Sequence, residues 1–222
     1  MNLKKIIAMF SVTILTAGLV LTGCGEKMSS PEETAQAFYD LYVLGDSSKL
    51  EKMGVDKAEY ESTIEEEKAG FKAATSSVFS NFTLSEDQLN KIVDAEMGAL
   101  KKLKAKIETT STTEDTATVK MSSTNVDISS AFNKALEDAR TEVTGMDLKT
   151  QEEADTKLVE ISVNKIIENL NKLEPSTDTK EETFTFKKEQ LTVSGKSKDF
   201  WIPEDMTKFG TDLGSIITVQ NQ

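Results

Sequence analysis

Few side chains of this 222-residue chain could act on a bound molecule, because it contains no histidine and a single cysteine, Cys24. Catalytic systems of the Ser-His-Asp or Cys-His kind need a histidine base, and zinc sites need several thiolate or imidazole ligands. An intramolecular disulfide needs a second cysteine. The composition therefore excludes these sites, and we expect neither a metal nor a cofactor.

One serine and lysine pair has the spacing of a known nucleophile motif. Ser162-Val163-Asn164-Lys165 matches the Ser-x-x-Lys pattern of penicillin-binding enzymes. The pattern lies deep inside a long predicted helix, lacks a convincing Lys-Thr-Gly partner, and belongs to a chain that is short for that fold. We therefore interpret it as ordinary helix sequence and predict no catalytic residue.

Acidic side chains are the remaining candidates for acid and base chemistry. Three pairs fall in the first turns of predicted helices, where the helix dipole favours negative charge: Glu32-Glu33, Glu86-Asp87 and Glu152-Glu153. The run Glu65-Glu66-Glu67 lies in the middle of a helix, so its members point to different faces. Most of these acids are thus explained by helix formation, and a carboxylate-dependent envelope hydrolase is kept as the alternative function.

The charge distribution argues against nucleic acid as a partner. The chain carries 38 acidic and 26 basic residues, for a formal net charge of −12, and Arg140 is its one arginine. Binding to a duplex requires a basic stripe, and bidentate contacts with phosphate require guanidinium groups. We therefore expect no nucleic-acid partner.

The amino-terminal residues have the layout of a secretory signal. Lys4 and Lys5 precede an apolar stretch from Ile6 to Leu21. A transmembrane helix is the other interpretation, but the stretch is shorter than the ~20 apolar residues that span a bilayer. Its end, Leu21-Thr22-Gly23-Cys24, resembles the lipobox of bacterial lipoproteins.

The resemblance to a lipobox implies that Cys24 is a lipid anchor. In that family the thiol receives a diacylglycerol and the preceding peptide bond is cut, so residues 1–23 would be removed. The formal net charge then changes from −12 to −14, because the removed segment carries two lysines and no acid. We expect residues 24–29 to form the lipidated end and a short tether, and residues 30–222 to form an extracytoplasmic domain at the cell membrane.

Helix starts in the domain are marked by capping boxes, in which a hydroxyl side chain is followed three residues later by Glu or Gln. The pattern occurs at Ser30 with Glu33, at Ser85 with Gln88 and at Thr150 with Glu153. Further helices are predicted after Asp56, through Phe132 to Gly145, and from Pro203 onwards. Gly45 and Pro175 are expected to end the helices that precede them, and Gly54 to close a short turn that carries Leu50 and Met53.

Two regions have the alternation of β-strands. The first, residues 107–126, turns at Glu114-Asp115, with a bulge or strand end expected near Ser122-Ser123. The second begins near Glu182, turns at Ser194-Gly195-Lys196 and continues through Phe200 and Trp201. These two aromatic residues should face opposite sides of the sheet, with at most one of them in the core. Hairpins separated by helices predict an α+β fold.

The order of helix and hairpin occurs twice, in residues 85–121 and 150–188. Identity between the stretches is poor, so a true repeat stays open, but the order fits two helix-plus-hairpin units in one sheet.

The layout resembles that of small Gram-positive lipoproteins with a domain of unknown function. The resemblance rests on the lipobox, on Pro31 to Ala35 leading into Phe38-Tyr39, on Gly45-Asp46 with Leu50, and on the segment 200–203. Many such domains are similar to cystatin-like and nuclear-transport-factor-2-like folds. The resemblance implies helices packed on a curved antiparallel sheet, with no activity attached.

These observations predict a lipid-anchored extracytoplasmic protein that is a non-enzymatic binding module for a protein, peptide or envelope component. The membrane would be contacted through the lipid on Cys24. A solute-binding lipoprotein of a transporter fits less well, because the chain lacks the α/β alternation of a two-lobed receptor.

Overall fold

The computed structural model of the protein describes residues 28–193 and 196–219. Helices and one four-stranded antiparallel sheet make up this part, which confirms the predicted α+β class. Its helices are α1 (Pro31–Tyr39), α2 (Ser48–Met53), α3 (Lys57–Val78), α4 (Glu86–Leu100), α5 (Ile128–Thr144), α6 (Gln151–Lys172) and α7 (Met206–Ile217). Its strands are β1 (Ala105–Thr112), β2 (Thr116–Thr124), β3 (Thr179–Val193) and β4 (Lys196–Pro203).

Two of the three predicted capping boxes are complete. At the start of α1, Ser30 Oγ accepts from Glu33 N at 3.1 Å, and Glu33 Oε2 accepts from Ser30 N at 2.8 Å. Ser85 and Gln88 make the same pair of hydrogen bonds before α4. At α6 only half of the box forms, because the Glu153 carboxylate accepts from Lys149 N instead of from the N-cap.

Helix α1 ends as the sequence predicts, although its last turn is widened. Residues Asp40–Leu44 continue α1 as a π-helix, and Gly45 follows with φ of +65°. A left-handed backbone of this kind favours glycine, because a side chain there meets its own carbonyl. Gly54 ends α2 in the same way, with φ of +89°.

The sheet has the strand order β1-β2-β3-β4, with each neighbouring pair antiparallel. Glu114 and Asp115 lie in the turn between β1 and β2, as predicted. Of the two alternatives near Ser122-Ser123, the strand end is confirmed, because β2 ends at Thr124, and the bulge is absent from the described sheet, because β2 pairs regularly up to that end. The irregularity lies instead at Thr109/Ser111 of β1, an edge strand, where bulges are most easily accommodated.

The second hairpin begins earlier and ends later than the sequence suggests. β3 starts at Thr179, and the predicted turn residues Ser194 and Gly195 lie outside the described residues. Pro203 does not start the last helix but ends β4, opposite Phe186. β4 is an edge strand, where a missing N–H is tolerated, and Asp205 caps α7 by accepting from Lys208 N at 2.9 Å.

One face of the sheet carries the main core. Residues of β2 and β3 that share this face are buried, and α1 and α7 pack over them. An aromatic cluster lies between the helices and β3, with ring centroids 4.9 to 6.4 Å apart. Its members are Phe38, Tyr42, Phe184, Phe186 and Phe209.

A second group of helices lies beside this core. α5 and α6 pack against each other over most of their length, and α4 packs against α6. The pair runs antiparallel, with Asn169 Nδ2 of α6 donating to Ala131 O of α5 at 3.1 Å. The chain order thus contains helix and hairpin twice, α4 with β1-β2 and α6 with β3-β4, in a single sheet.

Candidate functional site

A cavity of about 160 Å³ opens between the α5–α6 pair and the turn that follows α3. Three parts of the chain build it: the end of α3 with its turn, one face of α5 and one face of α6. We call it the helix-pair cavity. The lining residues are Val78, Phe79, Ser80, Asn81, Phe82, Leu136, Arg140, Leu158, Val159 and Ser162.

Local sequence explains the shape of this cavity. α3 ends at Val78, and the chain reverses in a turn in which Phe82 N donates to Phe79 O at 2.8 Å. Phe79 is buried in the core and Phe82 is half-buried, so the turn is held by its aromatic side chains.

The Ser162 hydroxyl lacks a hydrogen-bond partner. The residue is 1% exposed, and its Oγ contacts no donor or acceptor in the described part of the chain. Burying an unpaired hydroxyl costs about 1–3 kcal/mol, so such groups are uncommon in a folded protein. Ser123, by comparison, is fully buried but hydrogen-bonded to Tyr39 Oη at 2.8 Å.

Arg140 lies on the same cavity and supplies its positive charge. The residue is exposed, whereas Ser162 on the neighbouring helix is 1% exposed. Within the described ranges, no carboxylate forms an ion pair with this guanidinium. Most lysines on the helices, such as Lys134 with Asp138 at 3.0 Å, do have acidic partners. The chain's one arginine is therefore available to a ligand.

The structure argues against the Ser-x-x-Lys interpretation of Ser162. Lys165 does lie one helical turn from the serine, but its Nζ pairs with Glu142 Oε2 of α5 at 2.9 Å. The hydrogen bond to Glu142 raises the pKa of Lys165, which keeps the amine protonated at neutral pH. A protonated lysine cannot take a proton from the serine hydroxyl, so this pair has no nucleophile and base.

The acidic pairs found in the sequence are held by structural contacts. Glu33 completes a capping box, Glu86 pairs with Lys72 at 2.5 Å and Asp87 pairs with Lys91 at 2.7 Å. In the central run, Glu65 pairs with Lys68 at 3.1 Å. Capping explains Glu33, as predicted, whereas Glu65, Glu86 and Asp87 form ion pairs with lysines that were not predicted.

A second cleft, of about 230 Å³, contains acids where β4 leads into α7. Asp205 is the N-cap of α7, and Asp212 forms an ion pair with Lys208. Both carboxylates therefore form contacts within α7 and its N-cap. No group of acids in the described ranges has the arrangement of a metal site.

Two glutamates each have a buried carboxylate oxygen without a hydrogen-bond partner in the described part of the chain. Glu96 on α4 is 3% exposed and its Oε2 is unpartnered, while Glu67 on α3 is half-buried with Oε1 covered and unpartnered. Burial raises the pKa of each carboxyl to about 8. The buried Asp40 differs, because it accepts from Gln36 at 2.8 Å and pairs with Lys49 at 2.5 Å. Both glutamates are therefore protonated at neutral pH.

The aromatic residues Phe200 and Trp201 of β4 are both buried. Trp201 lies on the same sheet face as Phe186, and Phe200 faces the other way, as strand geometry requires. The expectation that one of the two would be exposed is wrong, because Phe200 is 7% and Trp201 is 3% exposed. Tyr39, Tyr42 and Tyr60 are also buried, as packing residues.

The predicted lipid anchor lies outside the described residues. The residues concerned are Leu21, Thr22, Gly23 and Cys24. In the described ranges, every helix is too short or too polar to cross a bilayer.

Sequence reasoning missed the helix-pair cavity. It noted Arg140 as the one arginine and Ser162 as part of a motif, but it did not bring them together. Their juxtaposition depends on the register between α5 and α6, which no local pattern reports. The sequence feature that could have indicated the cavity is the pair Phe79 and Phe82, two aromatic residues that flank two polar residues at a helix end.

Comparison with known proteins supports the fold. No protein-family model and no curated protein matches the chain. The crystal structure of a candidate lipoprotein, ycdA, from Bacillus subtilis subsp. subtilis str. 168 is similar, with a TM-score of 0.61 and 21% sequence identity. The match covers 86% of this chain and 56% of that one, so the chain spans a little over half of that protein's length. The two proteins share a fold.

Proposed function

We propose that this protein is a lipid-anchored extracytoplasmic lipoprotein whose α+β domain is a non-enzymatic binding module of the cell envelope. Anchoring is supported by the lipobox that ends at Cys24, and by the likeness in fold to a protein described as a candidate lipoprotein. Two acyl chains hold a protein on a membrane where a single chain is marginal. The cystatin-like layout and the curvature of the sheet stay predictions.

The observation that carries the binding role is the helix-pair cavity. Ligand sites combine apolar walls with a few polar groups that converge on the same space. The walls here are apolar side chains of α3 and its turn, of α5 and of α6. The polar lining residues are Ser80, Asn81 and Arg140, and Arg140 has no acidic partner among the described residues. The carboxylate-dependent hydrolase has no comparable support, so no second function is proposed.

Anchoring is tested with the Cys24→Ala variant. We expect the variant to stay unprocessed or to leave the membrane fraction, because the thiol that would carry the lipid is absent. Metabolic labelling with a fatty acid measures this directly. Lipid labelling of the variant at the wild-type level would contradict the anchor.

Binding is tested by crosslinking in intact membranes, followed by recovery of the full-length protein and its partners. Val159→Phe adds a ring inside the cavity and should reduce partner recovery severalfold. Val55→Phe is the matched control, because this half-buried valine lies outside the cavity lining. Equal recovery with both variants, or no specific partner at all, would contradict the binding module.

A further inference from the structure

The size of the helix-pair cavity limits what it can take up. An engineered protein cavity of about 150 Å³ binds benzene. The helix-pair cavity, at about 160 Å³, therefore has room for one apolar side chain. Its lining includes three exposed polar residues, Ser80, Asn81 and Arg140, so the cavity is open to solvent. A side chain carried by another polypeptide can thus enter it.

The turn between α5 and α6 presents an apolar side chain of suitable size. Among the described side chains, Met146 is the one large apolar one that is exposed, at 37%. Hydrogen bonds hold this turn, since Met146 N donates to Val143 O at 3.1 Å and Leu148 N donates to Met146 O at 3.0 Å. The backbone is therefore already ordered before binding, which lowers the entropy cost of a contact. A methionine side chain also adapts well to an irregular apolar space.

The turn and the cavity each carry one unpaired charge, and the two charges have opposite signs. Asp147 follows Met146, is exposed, and forms no ion pair with another described residue. Arg140 lines the cavity and has no acidic partner among the described residues. The lysines of α5 and α6, by comparison, all pair with acids of these two helices, such as Lys157 with Glu160 at 2.7 Å. A carboxylate and a guanidinium group are complementary in charge and in geometry.

The turn and the cavity lie near the same end of the helix pair. Met146 follows Arg140 by six positions, ~9 Å at the rise of an α-helix, yet it does not line the cavity of its own copy. In a dimer with a two-fold axis, both subunits use the same self-complementary patch. Two copies related by an axis at this end can each insert Met146 into the cavity of the other, which fills both cavities and closes the assembly.

We propose that the helix-pair cavity binds a second copy of this chain, with Met146 of each copy in the cavity of the other and Asp147 paired with Arg140. Small interfaces are typical of weak, reversible association. Copies anchored on one membrane meet at a raised local concentration, which favours such association. The inference rests on the proposed binding function and names the partner of the same site.

The ion pair is tested by charge reversal in the full-length protein in detergent. Sedimentation equilibrium measures the dimer at about 0.15 M salt, where repulsion between the acidic copies is screened. Arg140→Glu or Asp147→Arg alone should weaken the dimer about tenfold or more, because like charges then face each other. The double variant should associate like wild type, because the pair is restored with its signs exchanged. Asp94→Arg, at an exposed position on α4, is the matched control and should not weaken the dimer.

The apolar contact is tested at Met146. Met146→Ser should weaken the dimer about tenfold or more, because the burial of one apolar side chain is lost. A photoreactive residue at this position of an isotopically labelled copy should crosslink in membranes to an unlabelled copy, within residues 78–82 or 158–162 as mapped by mass spectrometry. The same photoreactive residue at the position of Asp94 is the control and should not reach these segments.

The possible failures have separate meanings. A wild-type protein that is monomeric in detergent and in membranes overturns the second copy as partner. A double charge variant that associates no better than the single ones, or crosslinks from position 146 that fall on other surfaces, does the same. If Val159→Phe still lowers the recovery of a different protein from membranes, the proposed binding function stands with that partner. If the wild type is monomeric and Val159→Phe leaves partner recovery unchanged, the inference and the proposed function both fall.

Discussion

The aromatic cluster between β3 and the helices and the helix-pair cavity are both built from apolar residues, yet they are packed differently. In the cluster, Phe209 lies within 6.4 Å of four other rings and is 2% exposed. In the cavity, Phe79 and Phe82 line an open space instead of filling it. Close packing stabilises the aromatic cluster, whereas the cavity lacks the contacts that would stabilise it if its space were filled.

Hydroxyl groups show the same difference between the two regions. Ser123 lies beneath α1 and is hydrogen-bonded to Tyr39, whereas Ser162 lies in the cavity wall with no partner. Buried polar groups in a folded protein are nearly always paired. The sheet has an unpartnered buried group as well, Trp201 Nε1, so an unpaired atom alone does not distinguish the two regions. What distinguishes the cavity is open space lined by apolar side chains and by Arg140, which has no acidic partner among the described residues, and this combination points to a ligand.

The largest expected effect comes from breaking the aromatic cluster. Phe209→Ala should lower the free energy of unfolding by about 3–5 kcal/mol, because a buried ring is replaced by a void. Phe82→Ala is the comparison, since this half-buried ring already borders empty space and should cost much less. Urea denaturation measures both. Equal losses would show that the two regions are packed alike.

A second effect concerns the pH dependence of stability. Burial raises the pKa of Glu96 from an ordinary value of 4.5 to about 8, so the folded protein holds a proton that the unfolded chain releases. Stability should therefore fall as the pH rises from about 4.5 to 8, by up to about 1.4 kcal/mol per pH unit for this group. Glu67 adds to the fall in the same direction.

The chain's lack of histidine makes this pH effect easy to measure, since few ordinary side chains titrate in that window. Glu96→Met should reduce the pH dependence to the part that Glu67 contributes and raise stability at pH 8, as followed by urea denaturation at several pH values. Glu137→Met, at an exposed position on α5, serves as control and should leave the slope unchanged. A wild-type protein whose stability does not fall between pH 5 and 8 would show that Glu96 is ionised or solvated.

The smallest effect compares the two buried hydroxyl sites directly. Tyr39→Phe should cost about 1 kcal/mol, because it removes the hydrogen bond to Ser123. Ser162→Ala should cost nothing or stabilise slightly, because it removes a hydroxyl that has no partner. Thermal denaturation of both variants gives the comparison. A clear loss of stability with Ser162→Ala would reveal a partner for that hydroxyl and weaken the assignment of the cavity.

The sequence predicted the elements well wherever local chemistry decides them. Ser85 with Gln88 marked the start of α4, and the turn at Glu114-Asp115 marked the first hairpin. The prediction that Pro203 starts the last helix was wrong, because proline is tolerated both at the first position of a helix and at the end of an edge strand. The cavity escaped prediction because Arg140 and Ser162 meet only through the packing of α5 on α6.

The most direct test of the helix-pair cavity as the binding site is photo-crosslinking in intact membranes from a photoreactive residue placed in its lining. We predict that such a residue at the position of Leu158 captures a specific partner, and that one at the position of Lys208, beside the second cleft, does not. Capture from the position of Lys208 alone, or equal capture from both positions, would contradict the account.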